Sequence, residues 1–306
     1  MRNEACQQWV ELSRDHPFVF LTGDLGFNAL EPLRDAMGER FINAGIAEQN
    51  MVSVAAGLSG QGVDAWVYSI APFCYARPFE QIRNDVCLHG VPVKLVGNGG
   101  GYAYGSMGAT HHALEDYGTL LTLQGLRAFV PAFGADLAAI IPRLAKTGSP
   151  SYLRLGRCEK PAELTLPAYA PWRRLVAGGG PVVLVAGPLA GSIYDAISRE
   201  EESSRATLWV VSELPITAAN LPDEFIDDLR RARRLCVAEE HVAHGGVGQM
   251  AATALLERGI ALDALVHACA RGYPSGTYGS QQFHRRECGL APDQIVTAID
   301  ELRCRP

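Results

Sequence analysis

The sequence predicts an α/β protein with two domains, each a mostly parallel β-sheet flanked by helices. Short, continuous apolar runs, such as residues 181–186, alternate with helix-like segments along the chain. Strands of this composition are typical of parallel sheets that are covered on both faces. The length of 306 residues fits roughly two domains, and the alternation weakens between residues 158 and 180, where proline and glycine accumulate.

The first domain is assigned to residues 1–160. Buried strands are predicted at residues 18–22, 63–70, 91–96, 127–130 and 151–155, with a short apolar strand beginning at Phe41. Helices are predicted at residues 2–15, 46–60, 76–89, 113–124 and 134–146. A glycine-rich loop at residues 97–110 separates a strand from a helix. This regular exchange of strand and helix favours parallel strands joined by helical crossovers.

Residues 161–180 are interpreted as a linker between the domains. Pro161, Pro167, Pro171 and three consecutive glycines at 178–180 disfavour regular elements there. The second domain, residues 181–306, is the smaller one. Its strands are predicted at residues 181–186, 208–211, 235–238 and 264–267, and its helices at residues 189–201, 221–233, 247–258 and 293–303.

Composition and charge exclude several classes of function. The net charge is −6 and the basic residues form no stripe, so nucleic-acid binding is not expected. No apolar run is long enough to span a membrane, and the N-terminus has no apolar region of the signal-peptide type. The 8 cysteines are dispersed without a C-x-x-C pair, which favours reduced thiols in a cytoplasmic protein.

The segment 41–58 carries the first candidate site. A short apolar strand leads through a turn into a helix that has Glu48 in its first turn. In α/β proteins an acid at this place faces the open end of a strand, where ligands bind. A carboxylate in the first turn also favours the helix dipole without any further role. The segment alone therefore leaves both interpretations open.

Four further motifs follow in a fixed order. They are Y-S-I-A-P-F-C-Y-A-R-P-F-E-Q-I-R at 68–83, G-A-T-H-H at 108–112, P-S-Y-L-R-L-G-R at 150–157, and E-E-H with G-G-V-G at 239–248. Together with G-I-A-E-Q-N at 45–50, they resemble the transketolase family in order and spacing over nearly the whole chain. The sequence most resembles the C-terminal subunit of split, two-component transketolases. That subunit carries a pyrimidine-binding domain followed by a transketolase C-terminal-like domain.

The resemblance implies roles in binding thiamine diphosphate. Glu48 matches the catalytic glutamate that hydrogen-bonds the pyrimidine ring of the cofactor and so promotes loss of a proton from its thiazolium ring. Phe73 matches the aromatic residue that stacks on the pyrimidine. Ile70 lies where many members have a second aromatic residue, so equally tight packing of the pyrimidine is not implied. Asp24, which follows the first strand, is expected to touch the cofactor.

Three further residues are implied in binding or converting the substrate. His111 matches a histidine that moves protons or stabilises an oxyanion near the reacting carbonyl, and His112 is its neighbour. Arg157 matches an arginine that binds a sugar phosphate. The sequence leaves other interpretations open: a histidine that caps the next helix, an arginine in a surface ion pair, or a metal site built from His111, His112, Glu115 and Asp116.

The sequence departs from the family in the motif that binds the metal ion. The usual Gly-Asp-Gly and Asn-Asn signature that binds Mg²⁺ and the diphosphate is missing, and the nearest string is T-G-D-L at 22–25. No metal ligands are therefore assigned to this chain. The resemblance implies a partner subunit that holds the diphosphate and Mg²⁺, in an assembly of two copies of each chain.

The resemblance also implies a reaction, the transfer of a two-carbon ketol unit from a ketose, expected to be phosphorylated, to an aldose. Ordinary transketolases have an acidic residue near Met107 and a histidine near Gly99, and neither is present here. The usual pentose-phosphate preference is therefore not implied. Two alternatives remain: a decarboxylating enzyme, of the type of the 2-oxoacid dehydrogenase β chain or of deoxyxylulose-phosphate synthase, and a non-catalytic stabilising subunit.

Overall fold

The computed structural model describes residues 1–304 and contains two mostly parallel β-sheets flanked by helices, which confirms the predicted fold class. The strands are β1 Phe18–Thr22, β2 Phe41–Asn43, β3 Asp64–Ile70, β4 Lys94–Asn98, β5 Arg127–Phe129, β6 Ser151–Leu155, β7 Trp172–Val176, β8 Val182–Ala186, β9 Thr207–Val211, β10 Glu213–Leu214, β11 Arg234–Ala238 and β12 Ala264–Ala268. The helices are α1 Arg2–Asp15, α2 Glu31–Met37, α3 Glu48–Gly60, α4 Ala71–Tyr75, α5 Phe79–Gln81, α6 Asp116–Leu120, α7 Leu137–Ala145, α8 Leu189–Ile197, α9 Asp223–Ala232, α10 Val247–Glu257, α11 Gln281–Glu287 and α12 Pro292–Cys304. No helix in this part of the chain has the length and apolar character needed to cross a membrane.

The first sheet has seven strands in the order β10-β5-β6-β4-β3-β1-β2. Neighbouring strands are parallel except at β10, which runs antiparallel to β5. Strands β1, β3 and β4 therefore end at the same edge of the sheet, and the register pairs Thr22 with Tyr68 and Ile70 with Asn98. Open α/β sheets bind their ligands beyond this carboxyl edge.

The second sheet has five strands in the order β12-β11-β8-β9-β7. Strand β7 pairs antiparallel with β9 at one edge, and the other four strands are parallel. Every residue of the central strand β8 is buried, as its run of valine, leucine and alanine predicts. Helices α8 and α12 pack against one another beside this sheet.

The region between the two sheets differs from the prediction. The expected linker, residues 161–180, contains strand β7, whose Trp172 packs on Phe225 with ring centroids 4.9 Å apart. Burial of this large ring stabilises an edge strand in spite of the nearby prolines. Strand β10 crosses back to the first sheet and is too short for its periodicity to be recognised. The last two residues of the expected second domain, 305–306, lie outside the described residues.

Several helices also differ from the prediction. Helices α2 and α11, with seven residues each, are absent from it because so short a segment has little periodicity. The expected helix 76–89 is reduced to α5 and a π-helical turn at Ile82–Cys87, and the short helix α4 precedes it. Pro78 lies between α4 and α5 and has no N–H to continue the helix. The expected helix 113–124 is reduced to the short helix α6.

A buried polar network joins the two halves of the chain. Arg154 in β6 donates hydrogen bonds to Asp116 Oδ2 over 2.7 Å and to the carbonyl oxygen of Glu240 over 2.9 Å. Tyr117 donates its hydroxyl hydrogen to Glu239, which is fully buried after β11. Because these groups lie out of contact with water, the hydrogen bonds fix the position of one half relative to the other.

Candidate active site

The carboxyl edge of the first sheet carries Glu48. The chain leaves β2 at Asn43 and turns at Gly45, whose φ of 73° favours glycine, before α3 begins at Glu48. The turn places the carboxylate beneath the ends of the strands, where only 2% of the residue is exposed. Gly23 leaves room for it, since a Cβ at that position would lie 3.3 Å from Glu48 Oε1.

Both carboxylate oxygens of Glu48 accept hydrogen bonds. Ser69 Oγ, near the end of β3, donates to Oε1 over 3.2 Å, and Arg77 Nη1 donates to Oε2 over 2.6 Å. Ser69 is fully buried, whereas the Arg77 side chain is 41% exposed. The buried acid is therefore held by one fixed neutral donor and by one cation that reaches in from the surface.

Aromatic rings continue the site along the same edge. The Arg77 guanidinium lies over the Phe73 ring, with Cζ 4.3 Å from the ring centroid. His111 meets the edge of Phe73 with centroids 5.4 Å apart, and Tyr104 lies 5.7 Å from His111. Thus Glu48, Phe73 and His111, which come from separate segments of the sequence, lie at one site.

Ile70 and Asp24 lie at the same edge of the sheet but have different surroundings. Ile70 is the last residue of β3, directly after Ser69, and is half-buried. Asp24 is exposed, and its carboxylate accepts a hydrogen bond from Asn43 Nδ2 over 2.9 Å. This bond ties the loop after β1 to the end of β2. A contact between Asp24 and the cofactor stays a proposal.

His112 does not join Phe73 and His111 at this site. Its Nδ1 lies 2.9 Å from the Tyr273 hydroxyl, and its ring packs near His284 with centroids 5.0 Å apart. Burial, with a smaller contribution from the charge of His284, lowers the pKa of His112 to about 4. His112 therefore packs against residues of the second half of the chain, and its expected role in substrate binding stays a proposal.

Arg157 lies just past the carboxyl end of β6 and is exposed. Within residues 1–304 its side chain has no hydrogen bond or ion pair. It lines a cavity of about 520 Å³ together with Asn98 and Tyr104, and Tyr104 contacts His111. Its guanidinium is therefore available to bind an anionic group.

The alternative of a metal site at residues 111–116 is not supported. Asp116 is buried against Arg154, and Glu115 accepts a hydrogen bond from the Tyr75 hydroxyl over 3.2 Å. With His112 facing Tyr273, these side chains diverge instead of meeting at one point. In the described range 1–304, no three His, Cys, Asp or Glu side chains are grouped so that they could hold a metal ion.

Similarity to known proteins assigns the chain to a family. Residues 4–161 match the profile of the transketolase pyrimidine-binding domain. The chain belongs to the transketolase family. Among solved structures it is similar to a split-gene transketolase in an inactive β4 tetramer, with a TM-score of 0.83, 28% identity, and coverage of 99% of this chain and 98% of that chain.

Two relatives come from split enzymes with named substrates. One subunit of the apulose-4-phosphate transketolase of Actinobacillus succinogenes is 30% identical over 87% of this chain and 86% of its own length. The SqwH subunit of the 6-deoxy-6-sulfo-D-fructose transketolase of a Clostridium species is 28% identical over 94% of this chain and 89% of its own length. The resemblance to a split transketolase subunit is thereby confirmed, and a transketolase-type transferase is favoured over the decarboxylating alternatives.

Transketolases depend on thiamine diphosphate, and the site fits the pyrimidine end of this cofactor. Glu48 offers a buried carboxyl group, as the pyrimidine requires, and one of its oxygens is bonded only to a partly exposed side chain. The face of the Phe73 ring is covered by the same side chain, at a distance that suits a flat group. Both the acid and the ring are therefore reachable by one planar ligand.

Sequence reasoning missed three residues of the site. Ser69 and Arg77 occur in the motif 68–83, and Tyr104 occurs in the glycine-rich loop, but none of them was assigned a role. Arg77 follows Phe73 by four residues, which places both side chains on one face if the segment is helical. That spacing was the available signal. Nothing in the sequence links Ser69 to Glu48 or Tyr104 to His111, because those contacts depend on the tertiary fold.

Proposed function

We propose that this chain is the pyrimidine-binding subunit of an enzyme that transfers a two-carbon ketol unit from a ketose to an aldose. The observation that carries the proposal is the buried Glu48 carboxylate beside the face of Phe73, in a chain related to named transketolase subunits. In this proposal residues 1–160 are the pyrimidine-binding domain, residues 181–306 are the C-terminal-like domain, and the protein is cytoplasmic.

Each side chain has a defined task. When bound, thiamine diphosphate supplies the nucleophilic carbon that carries the two-carbon unit. Glu48 Oε2 would share a proton with a pyrimidine nitrogen, while Ser69 holds the other oxygen in place. Phe73 would support one face of the ring. His111, at the edge of Phe73, would donate a hydrogen bond to a substrate oxygen as charge develops there.

The rest of the cofactor site would come from a partner subunit. No metal-holding group occurs among residues 1–304, and the sequence lacks the usual metal-binding signature. The similar split-gene transketolase is described as inactive in its β4 form. These observations support a partner that binds Mg²⁺ and the diphosphate, with two copies of each chain and the active site between them.

The substrate would carry an anionic group at the end remote from the transferred carbons. The names of the two relatives specify a phosphate in one ketose and a sulfonate in the other. Arg157 is exposed and without an ion pair within residues 1–304, and it lines a cavity that Tyr104 connects to His111. A guanidinium binds either anion through paired N–H donors.

The reaction is tested by reconstitution with a chain of the diphosphate-binding type, thiamine diphosphate and Mg²⁺. A ketose phosphate and an aldose phosphate are supplied, and the products are separated by mass spectrometry. We expect the ketose to be converted into an aldose that is two carbons shorter, and the aldose into a ketose that is two carbons longer. Both products should form only when both chains are present. Release of CO₂ from pyruvate without ketol transfer would establish the decarboxylating alternative. Full activity with Glu48→Ala would establish the non-catalytic one.

A further inference from the structure

The most unusual feature of the site is the position of Arg77. Its guanidinium touches both groups that are assigned to the pyrimidine ring: Nη1 is 2.6 Å from Glu48 Oε2, and Cζ is 4.3 Å from the centre of the Phe73 ring. We propose that Arg77 occupies the place of the pyrimidine between these two residues and has to swing out before the cofactor can enter. This inference rests on the proposed function, and it makes Arg77 a positioning residue that controls loading.

The chemistry of the two flat groups explains the exchange. A guanidinium donates N–H hydrogen bonds in its plane to a carboxylate and stacks with its face on an aromatic ring. An aminopyrimidine ring protonated at one nitrogen makes the same two contacts, an in-plane N–H bond to the acid and a stack on the ring. Ser69 already occupies Oε1 of Glu48. The two ligands therefore compete for one oxygen and one ring face.

The Arg77 side chain is free to move away from the site, whereas Glu48 is held in place. The Arg77 side chain is 41% exposed and lies after the end of α4, next to Pro78. Within residues 1–304 its side chain forms no hydrogen bond or ion pair except with Glu48. Glu48, in contrast, begins α3, is 2% exposed and is held by buried Ser69. Rotation of one long side chain would open the site without movement of the backbone.

The contact also has a use before loading. A buried carboxylate without a counter-charge is costly, and it would draw in water or another cation. Arg77 neutralises Glu48 and keeps the Phe73 face covered by a group of about the right thickness. The site is thereby held in the shape that the pyrimidine needs. The apparent affinity for the cofactor is lower because the cofactor binds only in the fraction of molecules in which Arg77 has left the site.

The binding test uses the reconstituted complex and thiamine diphosphate with excess Mg²⁺, measured by titration calorimetry. If Arg77 occupies the site for about nine-tenths of the time, Arg77→Gln should bind the cofactor about tenfold more tightly than the wild type. Arg83→Gln is the matched control, because it removes an exposed arginine from the same segment, and its affinity should be unchanged. Equal or weaker binding by Arg77→Gln, with normal binding by the wild type, would overturn the inference. No binding by either protein would overturn the proposed function itself.

A second test needs no cofactor. Thermal unfolding of the isolated chain is compared for Glu48→Gln, Arg77→Gln and the double variant. If the two side chains contact one another as described, the double variant should lose less stability than the sum of the single losses. Additive losses would show that the contact does not exist and would overturn the inference. If Arg77→Gln does not fold, Arg77→Lys replaces it in the cofactor titration. Lysine keeps the positive charge but cannot stack flat on the Phe73 ring, so this variant should bind the cofactor more tightly than the wild type.

Discussion

Two buried acids of this chain, Glu48 and Asp116, have opposite surroundings. Asp116 is fully buried and pairs with Arg154, whose side chain is 3% exposed and is also bonded to the carbonyl oxygen of Glu240. Glu48 is equally buried, but its cationic partner Arg77 is 41% exposed. Asp116 thus lies in a closed network, and Glu48 lies behind a partner that can leave.

The difference distinguishes an acid with a structural role from an acid that can bind a ligand. Breaking a fully buried ion pair by removing one partner leaves an uncompensated charge. A buried acid with a removable partner is available to a ligand. Glu239 is a second acid in closed surroundings, because it accepts hydrogen bonds from Tyr117 and from the backbone N–H groups of Val247 and Gly248. Burial alone would not have distinguished the two kinds of acid.

The largest effect that the comparison predicts is on catalysis at Glu48. Glu48→Gln keeps the shape of the side chain but cannot exchange a proton, so turnover by the reconstituted complex should fall by about 10⁴-fold. The melting temperature should change by no more than about 3 °C. Steady-state kinetics and calorimetry check both values. The exposed Glu80→Gln is the control, and a similar loss of turnover there would remove the special role of Glu48.

The second prediction concerns the closed network. Asp116→Asn leaves Arg154 as a buried cation without a full counter-charge, so the free energy of unfolding should fall by about 3–5 kcal/mol. Denaturant titration of the isolated chain measures it. Glu48→Gln in the same assay should cost about 1 kcal/mol or less, because Arg77 then turns to solvent. If the two variants were equally destabilised, the distinction between the two acids would be lost.

A smaller effect is expected at the aromatic ring. Phe73→Leu keeps an apolar surface but removes the flat face, which should raise the dissociation constant of thiamine diphosphate about tenfold. Fluorescence titration of the complex measures the change. Phe79→Leu, six residues further on, is the matched control and should bind within about twofold of the wild type. An unchanged affinity in Phe73→Leu would place the pyrimidine elsewhere.

The smallest predicted effect is a dependence of stability on pH. Burial lowers the pKa of His112 from 6.5 to about 4. Between these values the unfolded chain binds the proton and the folded chain does not, so the contribution is complete above pH 6.5 and is lost as the pH falls towards 4. His112→Asn should therefore flatten the decline by about 2 kcal/mol over this range.

Unfolding in urea at several pH values tests the sign. The exposed His89→Asn is the control and should leave the profile unchanged. A profile for His112→Asn that still follows the wild type would show that another group causes the decline. The expected result would distinguish His112, which contacts Tyr273, from His111, which contacts Phe73.

The sequence predicted the parts of the fold that depend on local pattern. Runs such as β8 and helices such as α1 and α10 have enough periodicity or apolar length to be recognised. Strand β7 was missed because its burial depends on Phe225, which is distant in the sequence. Strand β10 was missed because two residues carry no pattern, and only the sheet to which they return defines them.

The same limit applies to the candidate site. Glu48, Phe73 and His111 were identified because each lies in a motif of fixed residue types. Arg77 was not identified, since its importance comes from reaching Glu48, which is 29 residues away in the chain. His112 was expected beside His111, yet successive residues in a turn point in different directions and this one faces Tyr273. Motifs specify residue types, while tertiary contacts decide which of them meet.

The central claim is that this chain holds only the pyrimidine half of a shared cofactor site. It is tested most directly by titrating thiamine diphosphate with Mg²⁺ into the isolated chain, into the isolated diphosphate-binding partner, and into an equimolar mixture, with heat of binding as the readout. We expect tight saturable binding, with one cofactor for each pair of chains, in the mixture only. Binding by the isolated chain that is as tight as binding by the mixture would contradict the account.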